Sequence, residues 1–384
     1  MNSFIIRFWR DYWAKSKGIF QVSIEEEKKF LNMLPAPKSY IDRSINQYKC
    51  QNRLYGRMAS VILNFIFSLI LPLHMLYMVI NSLVKKQEKK ECVEAVYLKD
   101  LPLTYIPNSV KSEFETIIQV NPNGDMYFSL FDFKYIMKLI LKCKYPYFVY
   151  KNFLKILNYS AIIREYNPKC IIVSNEFSFT SSVMTHYCKC KNVLHYNVMH
   201  GEKLFDIRDS YFAFNKCYIW HEHYKNLFIS LNAKKTQFFV EIPDAMKIDI
   251  GTELDKKNDF TYYLSAEKED ALSIIRQTLL NLQNAGYKVA VRPHPRYSNM
   301  KLVRKYLDKF EIEDYRKINL EESIKKSRCA ISLCSTVLLQ VALNGGNIII
   351  DDMSDRCAYL QLLDADYICL KLNHKLLSSL QETV

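Results

Sequence analysis

From residue 91 onward, the chain alternates between short apolar runs and helix-length amphipathic stretches. Apolar runs bounded by turn-forming residues lie at residues 93–97, 116–120, 170–173, 193–198, 217–220 and 238–242. Helical patterns at residues 131–144 and 178–190 separate some of these runs. This order predicts strands joined by crossover helices, which is typical of a doubly wound parallel sheet.

The same alternation restarts after a polar stretch at residues 249–258. It predicts strands at residues 260–264, 288–292, 329–333 and 347–351, and helices at residues 268–285, 301–310, 320–326 and 337–343. A chain of 384 residues is also too long for one ordinary hydrophobic core. We therefore predict an α/β fold with two Rossmann-like domains facing a cleft, at residues 91–248 and 259–384, with the polar stretch as hinge.

Residues 1–90 do not follow this alternation and predict a helical extension that associates with membranes. Residues 58–84 contain no Asp, Glu, Lys or Arg and exceed the roughly 20 residues that span a bilayer. Pro72 and His74 lie at the centre, and basic residues flank both ends, whereas a span carries its excess Lys and Arg on one side. We expect a kinked or re-entrant, monotopic segment; a buried helical hairpin and a spanning helix are the alternatives.

The first residues of the chain have the composition of an interfacial helix. Between residues 4 and 13, bulky apolar side chains alternate with Arg7 and Arg10, which also interrupt any signal-peptide core. Packing of these apolar side chains into a core is the alternative. Either way, we do not expect export.

The overall charge favours an anionic partner. The chain has 53 Lys and Arg against 40 Asp and Glu, which gives a net charge of +13. Nucleic acid, anionic lipid and a phosphorylated substrate all fit this charge. The sequence shows no zinc-finger, helix-turn-helix or RNP-type signature, so we do not expect a nucleic acid polymer as partner. The 11 cysteines lack the spacing of a metal site, which favours a reducing compartment.

A basic loop follows the predicted strand at residues 288–292. It contains Arg292, His294, Pro295 and Arg296. Prolines on both sides of His294 stiffen the loop and orient the imidazole. The histidine can donate a proton to a leaving phosphate oxygen, and the arginines can pair with phosphate. A proline-rich turn without function is the structural alternative.

Ser335 and Thr336 lie between the predicted strand at residues 329–333 and the helix at residues 337–343. Both are natural helix N-cap residues. A helix N-terminus at the carboxyl end of a parallel strand also offers free N–H groups and the positive end of the helix dipole to an anion. Capping and phosphate binding are compatible at this position.

These two motifs, in this order, resemble the HP and S-S/T motifs of bacterial sialyltransferases and related capsule and O-antigen transferases of the GT-B fold. The resemblance covers about the last third of the chain. It implies that His294, with Pro295, contacts the nucleotide phosphate as general acid. It also implies that Ser335 and Thr336 bind the same phosphate. The acidic D/E-D/E-G motif of that family is not present as such in this chain.

Two other strand ends carry candidates for the missing base. Glu176 follows the predicted strand at residues 170–173, and His200 and Glu202 follow the strand at residues 193–198. The His200-Gly201 pair resembles the HG turn of surface-polysaccharide transferases and of the polyol-phosphate transferases of teichoic-acid synthesis. An inverting transfer needs a carboxylate or histidine near the acceptor hydroxyl. Each of the three residues can instead be a hydrogen-bonded strand-end residue.

Asp351 and Asp352 follow the last predicted strand. Acidic pairs suit magnesium or manganese. The family that the motifs resemble stabilises its leaving group with basic residues and helix dipoles, so we predict no metal and no cofactor other than the donor. Asp351 and Asp352 are instead assigned to contacts with the donor sugar or ribose.

Together these features predict an inverting glycosyltransferase at the cytoplasmic face of the bacterial inner membrane. Its donor is a nucleotide sugar, with CMP-sialic acid as the first candidate. Its acceptor is a lipid-linked or growing capsule or O-antigen glycan. A CDP-polyol phosphotransferase of teichoic-acid-like polymer synthesis and a non-catalytic scaffold of the assembly complex are the alternatives.

Overall fold

The computed structural model describes residues 23–55, 57–84, 92–121 and 127–381. The predicted interfacial segment at residues 4–13 lies outside them. The chain divides into two compact units. The first comprises the described residues up to His200 together with Phe205–Asp244, and the second comprises Gly201–Leu204 and the described residues from Ala245 onward. The predicted hinge at residues 249–258 therefore belongs to the second unit, where Asp249 pairs with Lys325.

The first unit contains a six-stranded, fully parallel sheet in the order β2-β1-β3-β4-β5-β6. Each predicted apolar run of this region forms one strand, to within two residues at either end. The direction of strand succession reverses between β1 and β3. The strands are β1 Ala95–Leu98, β2 Ile117–Val120, β3 Cys170–Val173, β4 Leu194–Val198, β5 Lys216–Ile219 and β6 Phe238–Val240.

Eight α-helices are described in this unit. Two of them begin with recognisable sequence signals: Ser129 and Asp132 form a capping box at the start of α5, and Pro146 occupies the first turn of α6. The helices are α1 Ile24–Met33, α2 Tyr40–Tyr55, α3 Arg57–Val84, α4 Asn108–Glu113, α5 Leu130–Lys142, α6 Pro146–Tyr166, α7 Ser181–Cys190 and α8 Glu222–Ser230.

Helix α3 is continuous over 28 residues and contains Pro72. Because it does not turn back on itself, both the expected re-entrant form of this segment and the helical-hairpin alternative are wrong. One face packs along α6: the backbone N–H of Tyr147 donates to Asn64 Oδ1 (3.1 Å), and the ring of His74 lies 3.1 Å from the Tyr150 hydroxyl. The span Ser60–Ser82 has the length and composition to cross a membrane. Only 22% of its most apolar window is buried inside the protein, so most of this apolar surface is exposed.

The second unit contains another six-stranded parallel sheet, in the order β12-β11-β10-β7-β8-β9. Its direction of succession reverses between β7 and β10. The predicted Rossmann-like fold is thus confirmed for both units. The strands are β7 Asn258–Tyr263, β8 Val289–Arg292, β9 Glu311–Ile312, β10 Ser327–Ser332, β11 Asn347–Ile350 and β12 Lys375–Leu376.

The helices of the second unit follow its strands in the usual alternation. The longest, α9, buries Leu272, Ile275, Leu279 and Leu282 against the sheet with the periodicity of an amphipathic helix. Helix α12 ends where Gly345 adopts a φ of 82°, a left-handed conformation that favours glycine. The helices are α9 Glu269–Asn284, α10 Met300–Leu307, α11 Leu320–Lys325, α12 Thr336–Leu343, α13 Arg356–Asp364 and α14 Leu377–Gln381.

Parallel pairing places the carboxyl ends of all strands in a sheet at the same edge. Ligands of open α/β sheets bind at this edge, next to the point where strand succession reverses. In the second unit, this point lies between β7 and β10. A ligand site is therefore expected at the loops that follow β7, β8 and β10.

Candidate functional site

The loop after β8 holds His294 in a defined tautomer. The backbone N–H groups of Arg296 and Tyr297 donate to His294 Nδ1, at 3.0 and 3.1 Å. Because Nδ1 accepts these bonds, the ring proton resides on Nε2. The ring also stacks on Tyr297, with centroids 4.4 Å apart. Burial, together with the nearby Arg296 charge, lowers the pKa of His294 below its usual value. The half-buried imidazole is therefore neutral at physiological pH and offers an Nε2–H donor.

Arg292 closes β8 and is buried within the second unit. Its guanidinium pairs with Glu313 at 3.0 Å and donates to the carbonyl of Ile318 at 2.9 Å. The side chains of Arg292 and Glu313 are 9% and 1% exposed. This arrangement explains Arg292 as a structural residue that supports the loop. It does not favour the predicted contact between Arg292 and a donor phosphate.

Pro295 and Arg296, by contrast, are exposed on the same loop. The loop itself is tied to the neighbouring strand: the His294 backbone N–H donates to Ser298 Oγ (2.8 Å), which in turn donates to the carbonyl of Ser265 (2.8 Å). Ser265 lies directly beyond β7. Sequence reasoning missed Ser265 and Ser298, although both follow predicted strand ends. They hold the loop in place over the edge of the sheet.

The turn after β10 begins helix α12. Ser335 is the N-cap residue, and its Oγ accepts a hydrogen bond from the Val337 backbone N–H at 3.2 Å. The Ser335 backbone N–H donates to the hydroxyl of buried Tyr367 at 3.3 Å. Both Ser335 and Thr336 remain partly exposed. The predicted capping by Ser335 is confirmed, and its hydroxyl proton remains available to an anion.

Glu202 belongs to the second unit and lies close to this turn. Its carboxyl group is buried, and neither oxygen has a hydrogen-bond partner among the described residues. Burial raises the pKa of Glu202 well above its usual range. Burial and then the Glu202 charge raise the pKa of Cys334 to about 12. Burial thus favours the protonated, hydrogen-bond-donating form of Glu202 over the carboxylate, which does not favour the predicted role of general base.

His200 and Glu176 lie in the first unit, at the carboxyl ends of β4 and β3. His200 is exposed, and its Nδ1 lies 2.5 Å from Ser174 Oγ. Gly201 follows with a φ of 76°, which explains the glycine of this turn. Glu176 is fully buried and accepts a hydrogen bond from Asn197 Nδ2 at 3.0 Å. An acceptor hydroxyl can therefore reach His200 but not Glu176.

Asp351 and Asp352 are occupied by structural hydrogen bonds. Asp351 is fully buried and accepts from the Tyr262 hydroxyl and the backbone N–H groups of Met353 and Ser354. Asp352 accepts from the backbone N–H and hydroxyl of Ser378. These contacts explain both aspartates as loop-fixing residues and leave the predicted sugar or ribose contacts without support. Within the described part of the chain, no group of three or more His, Cys, Asp or Glu is placed to hold a metal ion.

No protein-family model matches this chain, and no curated protein matches it. The solved structures similar to it include the lipopolysaccharide outer core galactosyltransferase WaaB in its apo form, with 10% identity and a TM-score of 0.40 over 76% of this chain and 94% of that one. They also include Methanocaldococcus jannaschii UDP-GlcNAc 2-epimerase with UDP-GlcNAc and UDP, at 12% identity and a TM-score of 0.40, over 68% and 83%. Anabaena Alr3699/HepE in complex with UDP-glucose shows 8% identity and a TM-score of 0.41 over 76% and 95%. Likeness at this level concerns the fold alone.

Proposed function

We propose that this chain is a glycosyltransferase that takes a sugar from a nucleotide-sugar donor. One observation carries the proposal: two anion-binding elements leave the same edge of the second sheet, one strand apart. His294 and Arg296 follow β8, Ser335 begins α12 after β10, and β7 lies between them. Two strand spacings amount to about 10 Å, which is within the extent of one nucleotide diphosphate or phosphate with its sugar.

The chemistry of the loops fits a departing nucleotide phosphate. As the bond to the sugar breaks, negative charge develops on the phosphate oxygen. The Nε2–H of neutral His294, the exposed Arg296 and the N-terminus of α12 all stabilise such a charge without moving a proton. His294 therefore acts as a hydrogen-bond donor, and the general-acid role implied by the family resemblance is replaced.

His200 is our candidate for the base that activates the acceptor. It is the accessible member of the candidates in the first unit, and Ser174 holds its ring at Nδ1. Hydrogen bonding at one ring nitrogen orients the other nitrogen toward a substrate hydroxyl. Thr336, beside Ser335, completes the proposed phosphate contacts.

The family resemblance leads us to propose a bacterial surface glycan, lipid-linked or growing, as acceptor. It also supports CMP-sialic acid as the first donor to test. We place the enzyme at the cytoplasmic face of the inner membrane, attached monotopically. The exposed apolar face of α3 supports attachment, and its packing along α6 favours a helix that lies on the protein over one that leaves it to span the bilayer.

A nucleotide screen tests the proposal. The purified chain is heated with CMP, CDP, UDP and GDP and with the matching sugar donors, and bound nucleotide should raise the unfolding temperature. Ligand at 100 times its Kd adds about 2.7 kcal/mol to the free energy of unfolding. Labelled sugar from the stabilising donor should then appear in a glycan.

Two outcomes would contradict the proposal. If none of these nucleotides or donors protects the chain, a non-catalytic scaffold explains it better. If a CDP-polyol protects it and the polyol phosphate is transferred, the enzyme is a phosphotransferase.

A further inference from the structure

Helices α3 and α5 form the two walls of an apolar groove in the first unit. The groove has a volume of about 700 Å³. Helix α5 contributes Phe133, Met137 and Ile140, and α3 contributes residues including Pro72, Leu76 and Val79. This volume lies within the range of small-molecule pockets in proteins. The groove is thus large enough for an elongated apolar ligand.

The groove walls continue into exposed apolar surface. On α3, the side chains of Phe65, Leu69 and Leu73 are 68%, 59% and 69% exposed. At the two ends of α5, Leu130 and Leu141 are 71% and 85% exposed. A contiguous apolar surface of this kind marks an interaction site.

A row of lysines runs beside the groove on α5. Lys134, Lys138 and Lys142 are spaced four residues apart and form one stripe, which begins beside groove-lining Met137 and turns toward His186 of α7 at its C-terminal end. All three are exposed. Lys138 and Lys142 belong to one positive cluster with Lys189, because all three charges contribute to lowering the pKa of His186, after burial. Lys138, Lys142 and Lys189 form no ion pair with another described residue.

The wall that carries these lysines is firmly held. Buried Asp132 accepts hydrogen bonds from Ser160 of α6 (2.7 Å) and from Tyr187 of α7 (2.6 Å). These bonds fix α5 from its inner side. The apolar and basic stripes of α5 therefore face outward as a permanent feature of the unit.

We propose that this groove seats one hydrocarbon chain of an anionic membrane lipid, with its phosphate bound by Lys138 and Lys142. An apolar stripe beside a basic one is the pattern of a helix at an anionic bilayer surface. A second copy of the chain fits less well, since a symmetric contact through this face would bring two lysine rows together. The proposal rests on the membrane attachment proposed above and specifies its contact; it does not depend on the transfer reaction.

Vesicle sedimentation with the full-length chain tests this contact. The chain should pellet with phosphatidylcholine vesicles that contain phosphatidylglycerol, and far less with phosphatidylcholine alone. The double variant Lys138→Glu/Lys142→Glu should bind anionic vesicles at least about tenfold more weakly. Lys301→Glu/Lys309→Glu makes the same change of charge on exposed lysines of the second unit and should bind like the wild type.

A second pair of variants tests the groove itself. Met137→Trp fills the groove and should reduce binding, whereas Leu254→Trp enlarges a side chain that is 98% exposed in the second unit and should not. Native mass spectrometry should detect a phospholipid on the wild type and not on Met137→Trp. Excess inorganic phosphate should not displace this lipid, because the chain in the groove retains it.

Equal binding by Lys138→Glu/Lys142→Glu and the wild type would overturn the proposal, as would lipid retention by Met137→Trp. A dimer that forms through this face without vesicle binding would also overturn it. Circular dichroism verifies that each variant is folded. The nucleotide screen is independent of vesicle binding, so either proposal can fail alone.

Discussion

Arg292 and Arg296 lie on the same loop, but their side chains meet different surroundings. Arg292→Ala would leave the carboxylate of Glu313, 1% exposed, without its partner inside the second unit. Breaking a buried ion pair in this way costs about 3–5 kcal/mol of unfolding free energy. Arg296 is exposed, so Arg296→Ala should change stability by less than about 0.5 kcal/mol and instead raise the donor KM.

Urea unfolding of the two variants, side by side, checks this difference. Each serves as the control for the other, since both remove an arginine from one loop. Equal stability of the variants would contradict the structural role of Arg292. An unchanged donor KM in Arg296→Ala would contradict the phosphate contact.

The hydrogen bonds of His294 predict how activity depends on pH. Its neutral form accepts two backbone N–H groups at Nδ1, and protonation there would break both bonds. Since burial and Arg296 lower the pKa of His294, the neutral ring should persist to below pH 6.5. We expect kcat/KM to be independent of His294 ionisation near neutrality and to fall as the pH drops through this lowered pKa.

His294→Ala should remove the contribution of His294 to the acid limb, while the contribution from protonation of the proposed base His200 remains. It should also lower kcat by about 10²–10³-fold, the usual effect of losing one donor to a developing negative charge. His294→Gln, which retains a side-chain N–H, should lose less. A pH profile in which His294 causes activity to fall with rising pH would show that the histidine is a general acid after all.

At the scale of elements, two substitutions of Ser335 can distinguish its role as N-cap of α12 from its proposed role in phosphate binding. Ser335→Ala removes the hydroxyl that accepts from Val337 and should cost about 1 kcal/mol of stability. Ser335→Asp retains an N-cap acceptor and should therefore be nearly as stable as the wild type. Its carboxylate, however, repels a phosphate at the same position.

Donor binding and thermal unfolding, measured on both variants, test this separation. Ser335→Asp should keep its unfolding temperature and lose donor binding, whereas Ser335→Ala should bind moderately and unfold earlier. If Ser335→Asp binds the donor like the wild type, Ser335 is a cap and nothing more.

Helix α3 combines an apolar composition with one face that packs inside the first unit. Composition alone made residues 58–84 a candidate for insertion into a membrane. The structure packs one face of this helix along α6 through Asn64 and His74. Deleting the segment would therefore expose the core of the first unit, and substitutions on the exposed face are the better test of attachment.

At the scale of the whole molecule, each unit has its own parallel sheet and buried core. All three tryptophans, at positions 9, 13 and 220, precede the second unit's main segment, which begins at Ala245. Trp9 and Trp13 lie outside the described residues, so the probe is the variant Trp9→Phe/Trp13→Phe, in which only Trp220, buried in the first unit, remains. Its tryptophan fluorescence reports the first unit, while far-ultraviolet circular dichroism reports both units. We expect a bound nucleotide to raise a transition that circular dichroism detects and tryptophan fluorescence does not.

Thermal scans with both probes, with and without the stabilising nucleotide, check this expectation. Coincident transitions that shift together would show that the units unfold as one body. A shift seen only by fluorescence would place the nucleotide in the first unit, against the site described above.

Local sequence patterns determined which segments became strands and helices. Apolar runs and helix periodicity act through the residues themselves, so they identified the principal strands of both sheets. They also indicated the Ser335 cap and the loop of His294, because these features depend on neighbours in the chain. Strands β9 and β12, of two residues each, carry too little pattern to be recognised.

Only the tertiary structure decided which polar residues are available for function. Arg292, Glu176, Asp351 and Asp352 lie at strand ends, as functional residues do, but partners distant in sequence bury and occupy them. The pKa of Glu202 is raised because burial removes the water that would stabilise its charge. Burial and pairing depend on residues far along the chain, and no local pattern contains that information.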